Sequence, residues 1–300
     1  MATYETAENQ YTAVGGVRYA YRRLGPTSGV PLVMLMHYRG TMDHWDPALI
    51  NPLAASRPVI LLDNSGVGSS GGDVPKSFAG WAQNVIDVAS ALGVRQMDVF
   101  GFSMGGCCAQ MVALNAPLGL VRRLILAGTT PSSGPGVKRF HSTAEMAPFV
   151  KLSTAQTEAE QRAAFLATFF PVASRRSQAA GEESWRRIMA ARPSSTRTPQ
   201  LDGKSAKRQG AAFANFMDPG QARDGSFERL KELQIPVLIA NGAEDMLLPT
   251  ENSFLMYKLL PNAHLHLYPD SGHGFLYQYA DHFTALINMF LDEPAVSSRL

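Results

Sequence analysis

Short apolar runs recur along the chain, separated by stretches with helical spacing. Six stand out: Pro31–Met36, Val59–Asp63, Met97–Phe100, Leu124–Ala127, Pro236–Ala240 and His264–Tyr268. Runs of this kind, separated by helical segments, predict the doubly covered strands of a parallel sheet. Tyr11–Arg22 alternates instead, which predicts a hairpin turning at Val14-Gly15-Gly16-Val17. Phe78–Leu92 places Trp81, Val85, Val88 and Leu92 on one helical face. Thr250–Leu260 carries Phe254, Leu255 and Leu259, and His282–Leu291 carries Phe283, Leu286, Ile287 and Phe290. With a further helix over Ser103–Asn115, the order is that of an alternating α/β chain.

The rhythm breaks between the fourth and fifth runs. Residues 135–225 contain no convincing strand, only helical pieces such as Glu158–Phe170 and Glu182–Arg192, punctuated by Pro171, Pro193 and Pro199. This predicts a helical lid inserted into a core domain made of residues 1–134 and 226–300. Charge follows the same division. The formal net charge is only +2, yet residues 135–235 hold 16 Lys/Arg against 10 Asp/Glu, and the remainder holds 11 against 15. The basic excess is read as a solvated helical surface. The near-neutral total argues against a nucleic-acid surface.

Composition narrows the class further. A 300-residue chain that is 45% hydrophobic suits a sizeable core. Cys107 and Cys108 are adjacent and would project apart on a helix, so no disulfide is expected between them, and both should pack as small apolar residues. Met1–Glu8 has neither a basic start nor an apolar core, and no 18-residue apolar run exists. No signal peptide and no membrane span are expected, which suggests a soluble cytoplasmic protein. Gly66-Val67-Gly68-Ser69-Ser70-Gly71 matches a dinucleotide fingerprint, but Gly72-Asp73-Val74-Pro75 continues the loop where a helix should open. No metal-ligand spacing appears, so neither a cofactor nor a metal is expected.

The chemistry gathers at the third run, which leads into Gly101-Phe102-Ser103-Met104-Gly105. G-x-S-x-G at a strand-to-helix turn lifts a serine hydroxyl clear of a sheet. Serine needs a base to take its proton, usually a histidine oriented by a carboxylate. Among seven histidines, His273 lies in the loop Asp270–Gly274 after the last run, at the sheet end where Ser103 also sits. His264 and His266 lie within a strand, His282 starts a helix, and His141 falls in the inserted segment. Asp245 follows the fifth run, with Glu244 beside it as a competitor, whereas Gly128-Thr129-Thr130-Pro131 after the fourth run offers no acid. The order Ser103, Asp245, His273 is that of a nucleophile-turn architecture.

With these motifs the sequence resembles α/β-hydrolase-fold proteins of the lidded esterase, lactonase and haloperoxidase-like group. The apolar strand ending at His37, the loop Asp63–Ser70, the serine turn, Gly242…Asp245…Pro249 and Gly272-His273 carry the resemblance jointly. It implies a mostly parallel central sheet flanked by helices, and a triad of Ser103 as nucleophile, His273 as base and Asp245 as its orienting acid. It also implies an oxyanion hole with one donor at Met104. Many relatives place His-Gly before a bulky residue at the second donor, but here Tyr38 follows His37 and the glycine comes at Gly40. The second donor is therefore Tyr38 or Arg39. His37, Arg39 and Phe102 are expected to bind substrate, with His44 a further pocket candidate. The implied activity is cofactor-free hydrolysis of an ester or lactone through an acyl-enzyme, and Phe149, Phe165, Phe169, Phe170, Trp185, Phe213 and Phe216 in the inserted segment suggest that the substrate is small and largely apolar. C–C bond hydrolysis or lysis, perhydrolysis, or ligand binding with little turnover are the alternatives.

Overall fold

The structure, a computed structural model, describes residues 2–139, 143–201 and 203–294. His141 lies outside them. The hairpin is present as β1 (Gln10–Val14) and β2 (Val17–Leu24). Then come β3 (Leu32–Leu35), α1 (Pro47–Ser56), β4 (Val59–Leu62), α2 (Phe78–Ala91), β5 (Met97–Phe102), α3 (Met104–Asn115) and β6 (Val121–Ala127). Four helices follow before the next strand: α4 (Thr143–Thr154), α5 (Glu158–Phe169), α6 (Arg175–Ala190) and α7 (Gly203–Phe216). The chain closes with β7 (Val237–Gly242), α8 (Thr250–Leu259), β8 (Ala263–Tyr268), α9 (Phe275–Gln278) and α10 (Ala280–Asp292).

The strands form one sheet in the order β1-β2-β4-β3-β5-β6-β7-β8. β2 pairs antiparallel with β1 and β4, and every later pairing is parallel. All residues of β3, β4, β5 and β7 are buried, because helices cover both faces. Leu32, Met34, Phe100 and Ile125 pack with the apolar residues of α1 and α10, while Val33, Leu35, Val99 and Leu124 pack with those of α2 and α3. That division is the two-residue period of a strand. The parallel pairing brings the carboxyl ends of β3, β5, β6, β7 and β8 to one edge, the usual ligand side of an open α/β sheet.

Two expectations need correction. Phe254 on α8 is 47% exposed, and the helix instead turns Thr250, Asn252, Ser253 and Met256 inward. Polar anchors decide this: Asn252 Nδ2 donates to Thr130 Oγ1 at 2.9 Å, and Asn241 Nδ2 donates to Ser253 Oγ at 3.3 Å. The basic excess is also not simply a solvated surface. Arg187 on α6 donates to both oxygens of Asp46 at 2.8 and 2.6 Å, and Arg192 donates to Tyr4 O at 2.8 Å. These cations stitch the inserted helices to the sheet domain. Arg162–Glu182, Arg186–Glu183 and Lys204–Asp73 do lie at the surface, as expected. Cys107 and Cys108 are free and buried, and burial pushes the Cys107 thiol up to about 12. Among the described residues no helix is long and apolar enough to cross a membrane.

Candidate active site

Ser103 sits between β5 and α3 with φ 59° and ψ −123°, a conformation that holds about 1–3 kcal/mol of strain for a residue other than glycine. Its surroundings over-determine it. The Ser103 N–H donates to Ala127 O at 2.9 Å, and Ser103 O accepts from Thr129 Oγ1 at 2.8 Å. The neighbouring glycines answer close approach. A Cβ on Gly105 would lie 2.1 Å from Leu35 O, and one on Gly101 would lie 2.4 Å from Gly105 O. Met104 opens α3, where a backbone N–H has no intrahelical acceptor.

His273 and Asp245 arrive from the loops after β8 and β7. His273 Nδ1 lies 2.7 Å from Asp245 Oδ2, and both side chains are buried. Asp245 Oδ1 accepts from the N–H groups of Leu247 and Leu248 at 2.8 and 2.9 Å, which fixes the carboxylate. Glu244 is exposed, and Asp245 is the acid that meets His273. The His273 ring lies between Phe102 and Phe169, with centroids 4.9 and 5.0 Å away. Its Nδ1 is engaged by the acid, so Nε2 is the nitrogen left for the cavity it shares with Ser103. No hydrogen bond joins Ser103 to His273 in this structure.

That cavity measures about 110 Å³. Ser103, Met104, His37, Tyr38, Arg39 and His273 line it from the sheet side. Phe149, Leu152, Phe165, Phe169 and Phe213 line it from the inserted helices, together with Gln161 and Gln200. Phe102 does not line it. It is wholly buried beneath His273 and supports that ring, because it continues the strand face of Phe100. His44 is also absent from the lining. It caps the short turn Met42–His44, where its Nδ1 accepts the Thr41 N–H at 3.1 Å. Sequence reasoning missed Gln161 and Gln200, whose positions follow from the packing of the insert and from no periodic signal.

Burial pushes His37 down to about 3 and His44 down to about 4, so both rings are neutral near pH 7. The His37 Nδ1–H then donates to Tyr38 O at 2.8 Å, since a carbonyl only accepts. An unfolded histidine takes up a proton near pH 6.5, whereas these folded rings do not until far lower. Each therefore contributes stability above pH 6.5 that is lost as pH falls towards its folded value. His44→Gln retains an acceptor for Thr41. In urea unfolding between pH 7.5 and 5.0 it should lose less stability than the unmodified protein; an equal or larger loss would refute the assignment.

Arg39 has φ 62°. Its N–H donates to Gln209 Oε1 at 2.8 Å, and its guanidinium donates to Leu152 O at 2.6 Å and Ala155 O at 2.9 Å. Gly40 N–H closes the turn onto His37 O at 3.1 Å, and a Cβ on Gly40 would strike Met36 Cγ at 2.5 Å. The displaced glycine thus serves close packing. Among the described residues no cluster of three His, Cys, Asp or Glu could hold a metal ion.

Residues 31–278 match a family model described as alpha/beta hydrolase fold. A solved alpha/beta hydrolase fold protein from Chitinophaga pinensis superposes with a TM-score of 0.86 at 32% identity, over 98% of this chain and 100% of that one. RutD of Azorhizobium caulinodans, named for a proposed carbamate hydrolase activity, is 28% identical over 89% of this chain and 92% of its own. The 2-hydroxymuconate semialdehyde hydrolase of Pseudomonas putida is 27% identical over 79% of this chain and 78% of its own.

Proposed function

The chain belongs to the alpha/beta hydrolase fold family, and from that premise we propose that it hydrolyses a small, largely apolar ester or lactone through an acyl-enzyme on Ser103. The observation that carries this reading is the shared cavity. A strained serine and a histidine backed by a carboxylate at 2.7 Å open onto one small apolar space.

Ser103 Oγ attacks the carbonyl, and His273 Nε2 takes its proton. Asp245 holds the opposite ring nitrogen and stabilises the imidazolium. His273 then returns the proton to the leaving alcohol, and water activated by the same ring releases the acid. Apo structures often hold serine and histidine further apart than they stand in the working complex. The developing oxyanion is met by the Met104 N–H and the Tyr38 N–H. Tyr38 is preferred to Arg39 because the Arg39 N–H is already given to Gln209. The bond from Gly40 to His37 O also orients the His37–Tyr38 peptide, whose N–H must point the opposite way from its carbonyl. Residues 135–225 act as the lid, with His37 and Arg39 on the substrate side and Phe102 behind the base.

The cavity of about 110 Å³ is near the scale of the roughly 150 Å³ apolar cavity that holds benzene, so the acyl group is short or a single ring. Across p-nitrophenyl acetate, butyrate and octanoate, kcat/KM should fall about 10-fold or more by the octanoate, since even one methylene that finds no room is worth about 1–3 kcal/mol. The similarity to the semialdehyde hydrolase favours C–C bond hydrolysis as the second reading. Turnover of 2-hydroxymuconate semialdehyde by a protein inert to all three esters would put that reading first.

A further inference from the structure

The loop that carries the second oxyanion donor is held by the inserted helices as much as by the sheet. Arg39 occupies a turn position whose positive φ favours glycine, and a non-glycine residue there gives up about 1–2 kcal/mol. Its side chain shows why an arginine stands there. Nη1 and Nη2 bond Leu152 O and Ala155 O at the end of α4, and Nε bonds Leu201 O. Its backbone is engaged as well. Arg39 O accepts from the Leu201 N–H at 2.9 Å, and the Arg39 N–H reaches Gln209 on α7. One residue therefore touches three separate pieces of the insert. The preceding ring, Tyr38, also packs on Phe149 of α4 with centroids 5.1 Å apart.

We propose that Arg39 and Gln209 are positioning residues that make the second oxyanion donor depend on the docking of the inserted helices. This rests on the acyl-hydrolase reading above. Tyr38 and Arg39 share a planar peptide, so the bond to Gln209 fixes the plane adjoining the Tyr38 donor. When the insert lies against the sheet, five bonds hold the turn and the Tyr38 N–H faces the cavity. A substrate too large for the cavity lifts α4, pulls on Arg39 and turns the donor away. Acyl-group selection then acts on kcat as well as on KM, because the correct substrate lets the hole assemble.

Gln209 is buried and touches no reacting atom, so its variants separate positioning from chemistry. Gln209→Met keeps the volume and removes the acceptor, whereas Gln209→Glu keeps an acceptor for the Arg39 N–H. Butylboronic acid reports the hole directly, since it forms a tetrahedral adduct on a reactive serine with an oxygen in the oxyanion position. Gln209→Met should lower kcat for p-nitrophenyl acetate and weaken butylboronic acid about 10- to 100-fold, with KM little changed. Gln209→Glu should restore most of both. Arg39→Lys, which keeps the charge but cannot span three carbonyls, should behave like Gln209→Met and serves if that variant does not fold. Unchanged inhibition and kcat in folded Gln209→Met or Arg39→Lys would overturn the coupling. An unmodified protein that neither hydrolyses the ester nor binds butylboronic acid would overturn the acyl-hydrolase reading beneath it.

Discussion

Ser103→Ala should lower kcat for p-nitrophenyl acetate by about 10⁴- to 10⁶-fold, the scale seen when a triad nucleophile is removed. The fold should survive. No described residue hydrogen-bonds the Ser103 hydroxyl, and the bonds that hold the turn use its backbone N–H and C=O. Alanine keeps the Cβ that already occupies the strained conformation. The turnover loss should therefore come with an unchanged circular dichroism spectrum and melting curve. A variant that keeps more than about 1% of turnover, far above the residue left by any true nucleophile deletion, would remove Ser103 from the mechanism.

The second large effect is on stability and centres on Asp46. Its side chain is wholly buried and makes four hydrogen bonds. Oδ1 accepts the Ala48 N–H at 2.9 Å, which caps α1, and Arg187 Nε at 2.8 Å. Oδ2 accepts Ser184 Oγ at 2.8 Å and Arg187 Nη2 at 2.6 Å. Asp46→Ala uncaps a helix, orphans a buried hydroxyl and takes from the Arg187 guanidinium its buried partner, leaving it only the half-exposed Glu183 at 3.4 Å. Cap loss alone costs about 0.5–2 kcal/mol, and breaking a buried pair from one side costs about 3–5 kcal/mol. Because Arg187 can reach some water, about 3 kcal/mol in total is expected from urea unfolding. Arg187→Met should cost less, since it leaves Asp46 its cap and Ser184, and the double variant should show strong non-additivity. A loss below about 0.5 kcal/mol, the level of an ordinary surface substitution, would contradict this account of the seam.

The sheet was legible in the sequence because strands buried on both faces read as unbroken apolar runs. Those runs located every parallel strand within a few residues. They also carried Ser103, Asp245 and His273, which sit at the ends of β5, β7 and β8, where topology alone brings them to one edge. What escaped was set by long-range polar contacts. Phe254 faces outward on α8, while Leu259 packs on the core, because Asn252 and Ser253 answer to Thr130 and Asn241, which periodicity does not register. The proposal of Tyr38 over Arg39 as second donor rests on a bond to Gln209, 170 residues away. Phe102 neighbours the nucleophile in sequence, yet it shares the strand face of Phe100 and so lies behind His273. The inserted helices have no sheet to order them. Their charges reveal a seam only once the buried Asp46 is seen opposite Arg187.

Catalysis as proposed requires Ser103 to be an activated nucleophile facing the shared cavity. A fluorophosphonate carrying a short alkyl group, followed by intact-mass measurement and peptide mapping, tests it most directly. One phosphonyl group per chain on the peptide containing Ser103, abolished in Ser103→Ala and strongly slowed in His273→Ala, is the predicted result. An unlabelled Ser103 in folded protein, or labelling that persists in Ser103→Ala, would contradict it.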